Sequence, residues 1–327
     1  MITLDEFTIQ QLREVPHATG ELSGLLQCIG LAGKMVNAAV RKSGLLGVNS
    51  SLGTTNTFGE QVQKLDMIAD DIFIKALQKG VFCAGVASEE NNDIVVFDDA
   101  RSNRSKYVVM FDPLDGSGNI DVTIGTIFSI YKRVTETGTP CTKKDFLQRG
   151  SEQIAAGYII YGAYTMLIYA TRRGVHGFTL DSDIGEFYLS HKNIRIPKKG
   201  KNFSFDFKYY HAVNDSVRKY IDDSLQGNND LAASPLSFRY AGCMVADIHR
   251  NLLKGGVFLY PDVKGRPHGK LRLMYECNPM AFITELAGGA ASDGDQRILD
   301  IQPKHIHQTT PFFAGSRDMI ISSGKDQ

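Results

Sequence analysis

The sequence predicts an α/β protein of two domains, and three observations carry that expectation. Short apolar runs of strand length end abruptly in carboxylates and glycines. Helix-period and strand-period stretches alternate again in the second half of the chain. Finally, 327 residues exceed one ordinary core and suit two domains of about 150 residues each. The basic segment Pro197-Lys198-Lys199-Gly200-Lys201 is a composition break, placing an N-terminal domain over 1–196 and a C-terminal domain over 197–327.

Taken in order, residues 20–42 place Leu22, Leu25, Leu26, Ile29, Gly33, Val36 and Val40 at helical spacing, with Thr19 as N-cap and Glu21 in the first turn. Residues 43–59, rich in Gly, Ser, Thr and Asn, read as a long mobile loop of the kind that forms lids. A second helix over 60–79 would bury Val62, Leu65, Ile68, Ile72 and Ala76; of its acids Glu60, Asp66, Asp70 and Asp71, three read as solvated surface charges. The strand 83–87 ends in Ser88-Glu89-Glu90. Runs at 124–133, 154–171, 174–180 and 185–196 read as further strands. The second half supplies a helix over 243–254, strands over 257–260 and 270–276, and a helix over 280–287 with Asn278 as N-cap, Pro279 in the first turn and Gly288 beyond the end.

The chain centres on Tyr107 to Asp121, YVVMFDPLDGSGNID. Tyr107 to Phe111 suits a strand covered on both faces. Pro113 lacks the N–H that a central ladder needs, which puts Asp112 at the strand's C-terminal edge, where ligands bind in α/β sheets. Gly116-Ser117-Gly118-Asn119 offers backbone amides with little bulk, a composition suited to a phosphate. Asp112 and Asp115 would repel a bare phosphate, so a hard divalent cation, Mg²⁺ or Mn²⁺, reconciles the two. The same letters also suit a turn between strands. Glu89 and Glu90 repeat the strand-then-carboxylate layout. In strand 270–276, alternation would put Lys270, Arg272 and Glu276 on one face, cations for phosphate and a carboxylate for metal.

Composition limits the partners. Lys plus Arg and Asp plus Glu are 36 each, so no net field draws the protein to nucleic acid or to an anionic membrane. The opening MITLDEFTIQQLRE has acids and no apolar stretch, and no run of 18 apolar residues occurs, so neither signal peptide nor membrane span is expected. The 5 cysteines have no metal-ligand spacing and read as reduced thiols of a cytoplasmic protein.

These residues carry a resemblance. Asp112-Pro113-Leu114-Asp115-Gly116-Ser117 resembles the metal-binding signature of the Mg²⁺-dependent, lithium-sensitive sugar and inositol phosphatases. HATGEL (17–22), QKLD (63–66), SEE (88–90), GTIFSIY (125–131), VADIHRNLLKGG (245–256) and GKLRLMYECNPMAF (269–282) narrow the likeness to class I fructose-1,6-bisphosphatase, over residues from about 6 to 318.

The resemblance implies a layered α/β/α/β/α sandwich, a homotetramer, and hydrolysis of the 1-phosphate of fructose 1,6-bisphosphate in gluconeogenesis. Glu89, Glu90, Asp112, Asp115, Glu276 and the Leu114 carbonyl match its metal ligands, and Asp66 with Glu90 matches the pair that helps deprotonate the attacking water. Asp115, Gly116, Ser117, Gly118 and Asn119 match the reacting-phosphate segment. Asp206, Tyr209, Arg239, Tyr240, Tyr260 and Lys270 match the pocket for sugar and far phosphate, the arginine reaching in from a neighbouring subunit. Arg272 matches a neighbour of the metal site. Thr19, Gly20, Glu21, Lys106, Tyr107 and Lys132 match an AMP inhibitory site.

Several positions depart from the pattern. Lys132 stands for an arginine and loses the bidentate fork, which implies weaker AMP inhibition. Gly118 stands for a serine, Asp206 for an asparagine, and Glu60 for an aspartate. The chain is also two residues shorter between Asp121 and Gly125, an even change that preserves strand facing. These departures leave open a sibling activity on sedoheptulose 1,7-bisphosphate, or a catalytically weakened paralogue that binds metabolites.

Overall fold

Two large β-sheets and two two-stranded ones, with helices between and around the large pair, form the described part of the computed structural model, which describes residues 1–13, 20–46, 51–55, 61–119, 122–227 and 234–320. The first half opens with α1 (Leu4–Arg13), α2 (Glu21–Leu46), β1 (Ser51–Thr55), β2 (Gln61–Gln63) and α3 (Lys64–Gly80). It continues through β3 (Gly85–Ser88), β4 (Val95–Val96), β5 (Tyr107–Asp115), β6 (Ile124–Lys132) and the short α4 (Lys143–Phe146). Strands β7 (Gln153–Tyr161), β8 (Thr165–Thr171), β9 (Gly174–Asp181) and β10 (Glu186–His191) follow. The second half begins with β11 (Asn202–Phe205), α5 (Asp215–Gln226), β12 (Ser237–Phe238), α6 (Met244–Lys254) and β13 (Val257–Tyr260). It ends with β14 (Leu271–Arg272), α7 (Asn278–Leu286), β15 (Ala290–Ser292), β16 (Thr309–Thr310) and β17 (Phe312–Gly315).

The first sheet has eight strands in the order β10-β9-β8-β7-β6-β5-β3-β4, and the second has five in the order β12-β11-β13-β17-β15. Within the first, β3 and β5 run parallel and β5 to β10 form an antiparallel meander. Period-two facing sorts the side chains into layers. Val109 and Phe111 of β5 join Phe7, Leu25, Leu26 and Phe73 of the first three helices in one core. Val108 and Met110 face a second core, closed by Val245 and Ile248 of α6, Met280 and Ile283 of α7, and Phe258 and Phe312 of the other sheet. A third core lies on that sheet's far side, where Phe203, Phe205, Val257 and Leu259 meet Val217 and Ile221 of α5. The layers are therefore α/β/α/β/α, as the resemblance implies. Gly33 lets α2 lie close on the first sheet: a Cβ there would collide with Cδ1 of Ile159 in β7.

Several local expectations are corrected. Helix α2 runs on to Leu46, because Gly44 alone does not end it: a helix interior tolerates a glycine at about 1 kcal/mol. Residues 51–55 then pair antiparallel with 61–63, so the expected lid is partly helix and strand; its residues 47–50 and 56–60, Glu60 among them, lie outside the described residues. Val62 belongs to β2, and α3 turns Leu65, Asp66, Ala69, Asp70, Phe73 and Leu77 inward. Asp66 and Asp70 are thus buried one helical turn apart, not solvated. The run 154–171 is a hairpin of two strands.

Strand β5 continues through Pro113 to Asp115. The ladder pairs Asp112 with Ile127 and next Asp115 with Gly125, a bulge in which the proline's missing N–H leaves no rung broken. The expected strand 270–276 stops at Arg272 and becomes a π-helical turn over Leu273–Cys277 that leads straight into α7. All five residues of that turn are buried, so period-two facing does not apply. The turn is closed instead by the Arg272 backbone N–H, which donates to Glu276 Oε2 at 2.5 Å. Asn278 is consequently the first residue of α7, not its cap; Gly288 does take φ +95° just past the end.

Candidate active site

The bulge in β5 aims several groups at one place. Thr126 Oγ1 donates to the Pro113 carbonyl at 2.8 Å and lies 2.9 Å from the Tyr161 hydroxyl, so two buried side chains hold the bulged proline. Leu114 N–H donates to Asp112 Oδ1 at 2.9 Å, which fixes that carboxylate beside its own backbone. Asp115 reaches the N-terminus of α6, where its Oδ2 accepts from Val245 N–H at 2.8 Å and from Cys243 Sγ at 3.0 Å. A carboxylate there meets unpaired amides and the positive end of the helix. Gly116 follows with φ +77°, where a Cβ would collide with Cys243. The single helical turn Ser117–Asn119 then closes with Asn119 Nδ2 donating to the Ala241 carbonyl at 3.1 Å.

Asp112, Asp115 and Glu276 converge: one ligand oxygen from each lies within 4.8 Å of the others, and all three residues are buried. Burial, and then the charges of Glu89, Asp115 and Glu276, hold the Asp112 carboxyl well above the ordinary carboxylate range. Glu276 is raised in the same way, by burial and then by Glu89 and Asp115. Asp115 is also raised by burial, against the lowering effect of its bonds to Cys243 and Val245. Arg272 Nε meets Glu89 Oε1 at 3.2 Å. An all-oxygen donor set whose members repel one another fits a hard divalent cation, because such an ion relieves the repulsion that burial amplifies.

These groups line a cleft of about 560 Å³. Asp66, Glu89, Glu90, Asp112, Leu114, Asp115 and Glu276 line it, together with Gly116 to Asn119. Asp206, Tyr209, Tyr240, Tyr260 and Lys270 line the same cleft. Burial first pushes the Tyr240 and Tyr260 phenols up, aided at Tyr240 by Asp206 and at Tyr260 by the neighbouring phenols of Tyr240 and Tyr209, which keeps them as neutral O–H donors. Asp206 caps the turn Phe207–Tyr209 by accepting from Lys208 N–H at 3.1 Å. An asparagine would make the same cap, so the charge is not needed for the fold there. A Cβ at Gly118 would meet nothing within 4 Å, so a serine fits that position.

Two expected residues stay outside the cleft lining. Arg239 is exposed, with its guanidinium on the Phe238 carbonyl, and Arg272 turns to Glu89. The expected effector residues assemble elsewhere. Lys106 Nζ lies 3.5 Å from Glu21 Oε1, Tyr107 stands opposite Lys132 in the β5–β6 ladder, and Gly20 precedes α2 with φ +78°. Thr19 lies outside the described residues.

Sequence reasoning missed Asp70, Cys243 and Thr126, which touch or support the site. Asp70 alone had a signal, its four-residue spacing from Asp66. Cys243 and Thr126 arrive by tertiary contact.

Comparisons with known proteins agree with this arrangement. The family model described as the fructose-1-6-bisphosphatase N-terminal domain matches residues 2–192, and the model of its C-terminal domain matches residues 196–325. Among solved structures, Leishmania major fructose-1,6-bisphosphatase in holo form is 35% identical over 97% of this chain and 96% of that one, with a TM-score of 0.89. Its apo form is 35% identical over the same shares, with a TM-score of 0.86. Both halves match and the folds superimpose; the chain belongs to the fructose-1,6-bisphosphatase family.

Proposed function

We propose that this chain is a metal-dependent fructose-1,6-bisphosphatase that releases the 1-phosphate to leave fructose 6-phosphate. One observation carries the proposal: the buried carboxylate cluster of Asp112, Asp115 and Glu276 shares a single cleft with Tyr209, Tyr240, Tyr260 and Lys270. Glu89, Glu90, Asp112, Asp115, Glu276 and the Leu114 carbonyl would hold Mg²⁺ or Mn²⁺. When bound, such cations supply acidity to water and neutralise charge on the phosphoryl group and the leaving oxygen.

The chain's own groups do the rest. Asp66 and Glu90, both lining the cleft, accept the proton of the attacking water. Ser117, Asn119 and the amides of Gly116 to Asn119 hold the reacting phosphate. Tyr209, Tyr240, Tyr260 and Lys270 hold the sugar and the far phosphate, with neutral phenols as donors and the lysine as the charge. Arg239 serves a neighbouring subunit, which accords with its exposure and its place outside its own cleft. Residues 1–196 then form the metal and effector domain and 197–327 the sugar-bisphosphate domain of a cytoplasmic homotetramer acting in gluconeogenesis.

AMP inhibits through Thr19, Gly20, Glu21, Lys106, Tyr107 and Lys132, weakly because Lys132 offers a point charge in place of a fork. The Glu21 and Lys106 pair, and Tyr107 opposite Lys132, support that assignment. Phosphorus NMR of a fructose 1,6-bisphosphate digest with Mg²⁺ tests the reaction: fructose 6-phosphate as sole sugar product supports it, and fructose 1-phosphate contradicts it.

A further inference from the structure

We propose that Asp70 is a positioning residue that braces the helix carrying Asp66 against the turn carrying Glu89 and Glu90. The inference rests on the functional reading above, in which Asp66 and Glu90 act on one water from two different elements. Asp70 sits one turn beyond Asp66 on the inward face of α3 and is 5% exposed. Its Oδ1 accepts from the buried Ser88 hydroxyl at 2.5 Å, and its Oδ2 accepts from Asn91 Nδ2 at 3.0 Å. Ser88 and Asn91 are the residues on either side of Glu89-Glu90. The Ser88 Oγ in turn accepts from Glu90 N–H at 3.4 Å.

The turn is thus gripped at both ends from α3. On its other side it is tied to β5, where Glu89 N–H donates to the Phe111 carbonyl at 3.2 Å. The β5 bond fixes the turn relative to Asp112 and Asp115. Asp70 fixes it relative to Asp66, which no ladder bond does, because α3 is not a strand. Proton transfer is steep in distance, so a turn free to slide along α3 would lose catalysis without losing the fold. Asp71, the next residue, makes the contrast: it is exposed and pairs with Lys75 at 2.7 Å.

The brace depends on shape, not on charge. An asparagine at position 70 would accept from Ser88 through Oδ1 and donate to Asn91 once the Asn91 amide turns over. Asp70→Ala removes both bonds.

The test measures steady-state kinetics on fructose 1,6-bisphosphate, and Mn²⁺ binding to the substrate-free protein by electron paramagnetic resonance. Asp70→Ala should lower kcat and weaken Mn²⁺ each by about tenfold or more, with KM within about twofold. Asp70→Asn should restore most of both, and Asp71→Asn should leave both unchanged. A folded Asp70→Ala with kcat and Mn²⁺ affinity near those of the unsubstituted protein overturns the proposal. So does an Asp70→Asn variant as impaired as Asp70→Ala, since that assigns the effect to charge. Should Asp70→Ala fail to fold, Asn91→Ala removes one bond from a half-exposed side chain; a smaller shift in the same two quantities supports the brace and no shift overturns it. Because Mn²⁺ affinity is read without substrate, it judges the brace even if the unsubstituted protein does not act on this sugar, a result that would fall on the proposed function alone.

Discussion

Glu276→Gln should stabilise the metal-free protein and abolish its stabilisation by Mg²⁺. Ligand oxygens of Asp112, Asp115 and Glu276 lie within 4.8 Å of one another. At an effective dielectric of about 20, a like-charged pair at that separation repels by about 3.5 kcal/mol. Proton uptake relieves part of this, leaving on the order of 2 kcal/mol for Glu276 at neutral pH. The amide keeps Oε1, which still accepts the Arg272 backbone N–H that the carboxylate accepts now.

The pH dependence has a definite sign. Asp112 and Glu276 both have folded values raised above their unfolded ones, chiefly by burial. Their protonated forms therefore contribute stability that is complete below the unfolded carboxylate range and is lost as pH rises toward the folded values. Melting in excess chelator from pH 5 to 8 should show the unsubstituted protein losing stability and Glu276→Gln losing less. At neutral pH the variant's Tm should be roughly 3 °C higher. With Mg²⁺ at a hundred times Kd the order reverses, because the unsubstituted protein gains about 2.7 kcal/mol and the variant has lost a ligand. A variant that melts lower than its parent in chelator, or one that Mg²⁺ stabilises equally, would refute the reasoning.

Other outcomes follow from single contacts. Asp206→Asn keeps the cap on Lys208 N–H and removes a negative charge from the cleft lining beside Tyr209 and Lys270, so KM should fall about threefold with kcat unchanged, at roughly 0.7 kcal/mol for a solvated charge. Lys132→Arg should lower the AMP concentration for half inhibition several-fold by restoring the fork, and dose-response curves check it. Thr126→Val removes the donor to the Pro113 carbonyl and the partner of the Tyr161 hydroxyl, so denaturant unfolding should show a loss of about 1–3 kcal/mol, with kcat reduced as the bulge loosens.

What was legible in the sequence follows from range. Asp112, Asp115, Glu89 and Glu90 stand at or just beyond the close of apolar runs, so local pattern alone marks them, and the structure puts all four in the cleft, although β5 runs on past Asp112 to Asp115. Glu276 is in the cleft too, although the alternation that pointed to it is absent; a π turn delivers it, and that turn depends on packing against both sheets. Asp70 was misread because Ile68 and Ile72 suggested the inward face of α3, whereas Phe73 and Leu77 define it. A helix that buries acids defeats a hydrophobic pattern, since the pattern assigns every acid to water. The α/β/α/β/α order needed more than periodicity, because α6 and α7 serve both sheets from one layer.

The most direct test of the central claim is inorganic phosphate release from fructose 1,6-bisphosphate by the purified protein, with Mg²⁺ and again with the metal chelated. Rapid release that stops on chelation and returns with added Mg²⁺ is expected from buried carboxylates that need a cation between them. No release from the folded protein with Mg²⁺ present, or release indifferent to chelation, would contradict it.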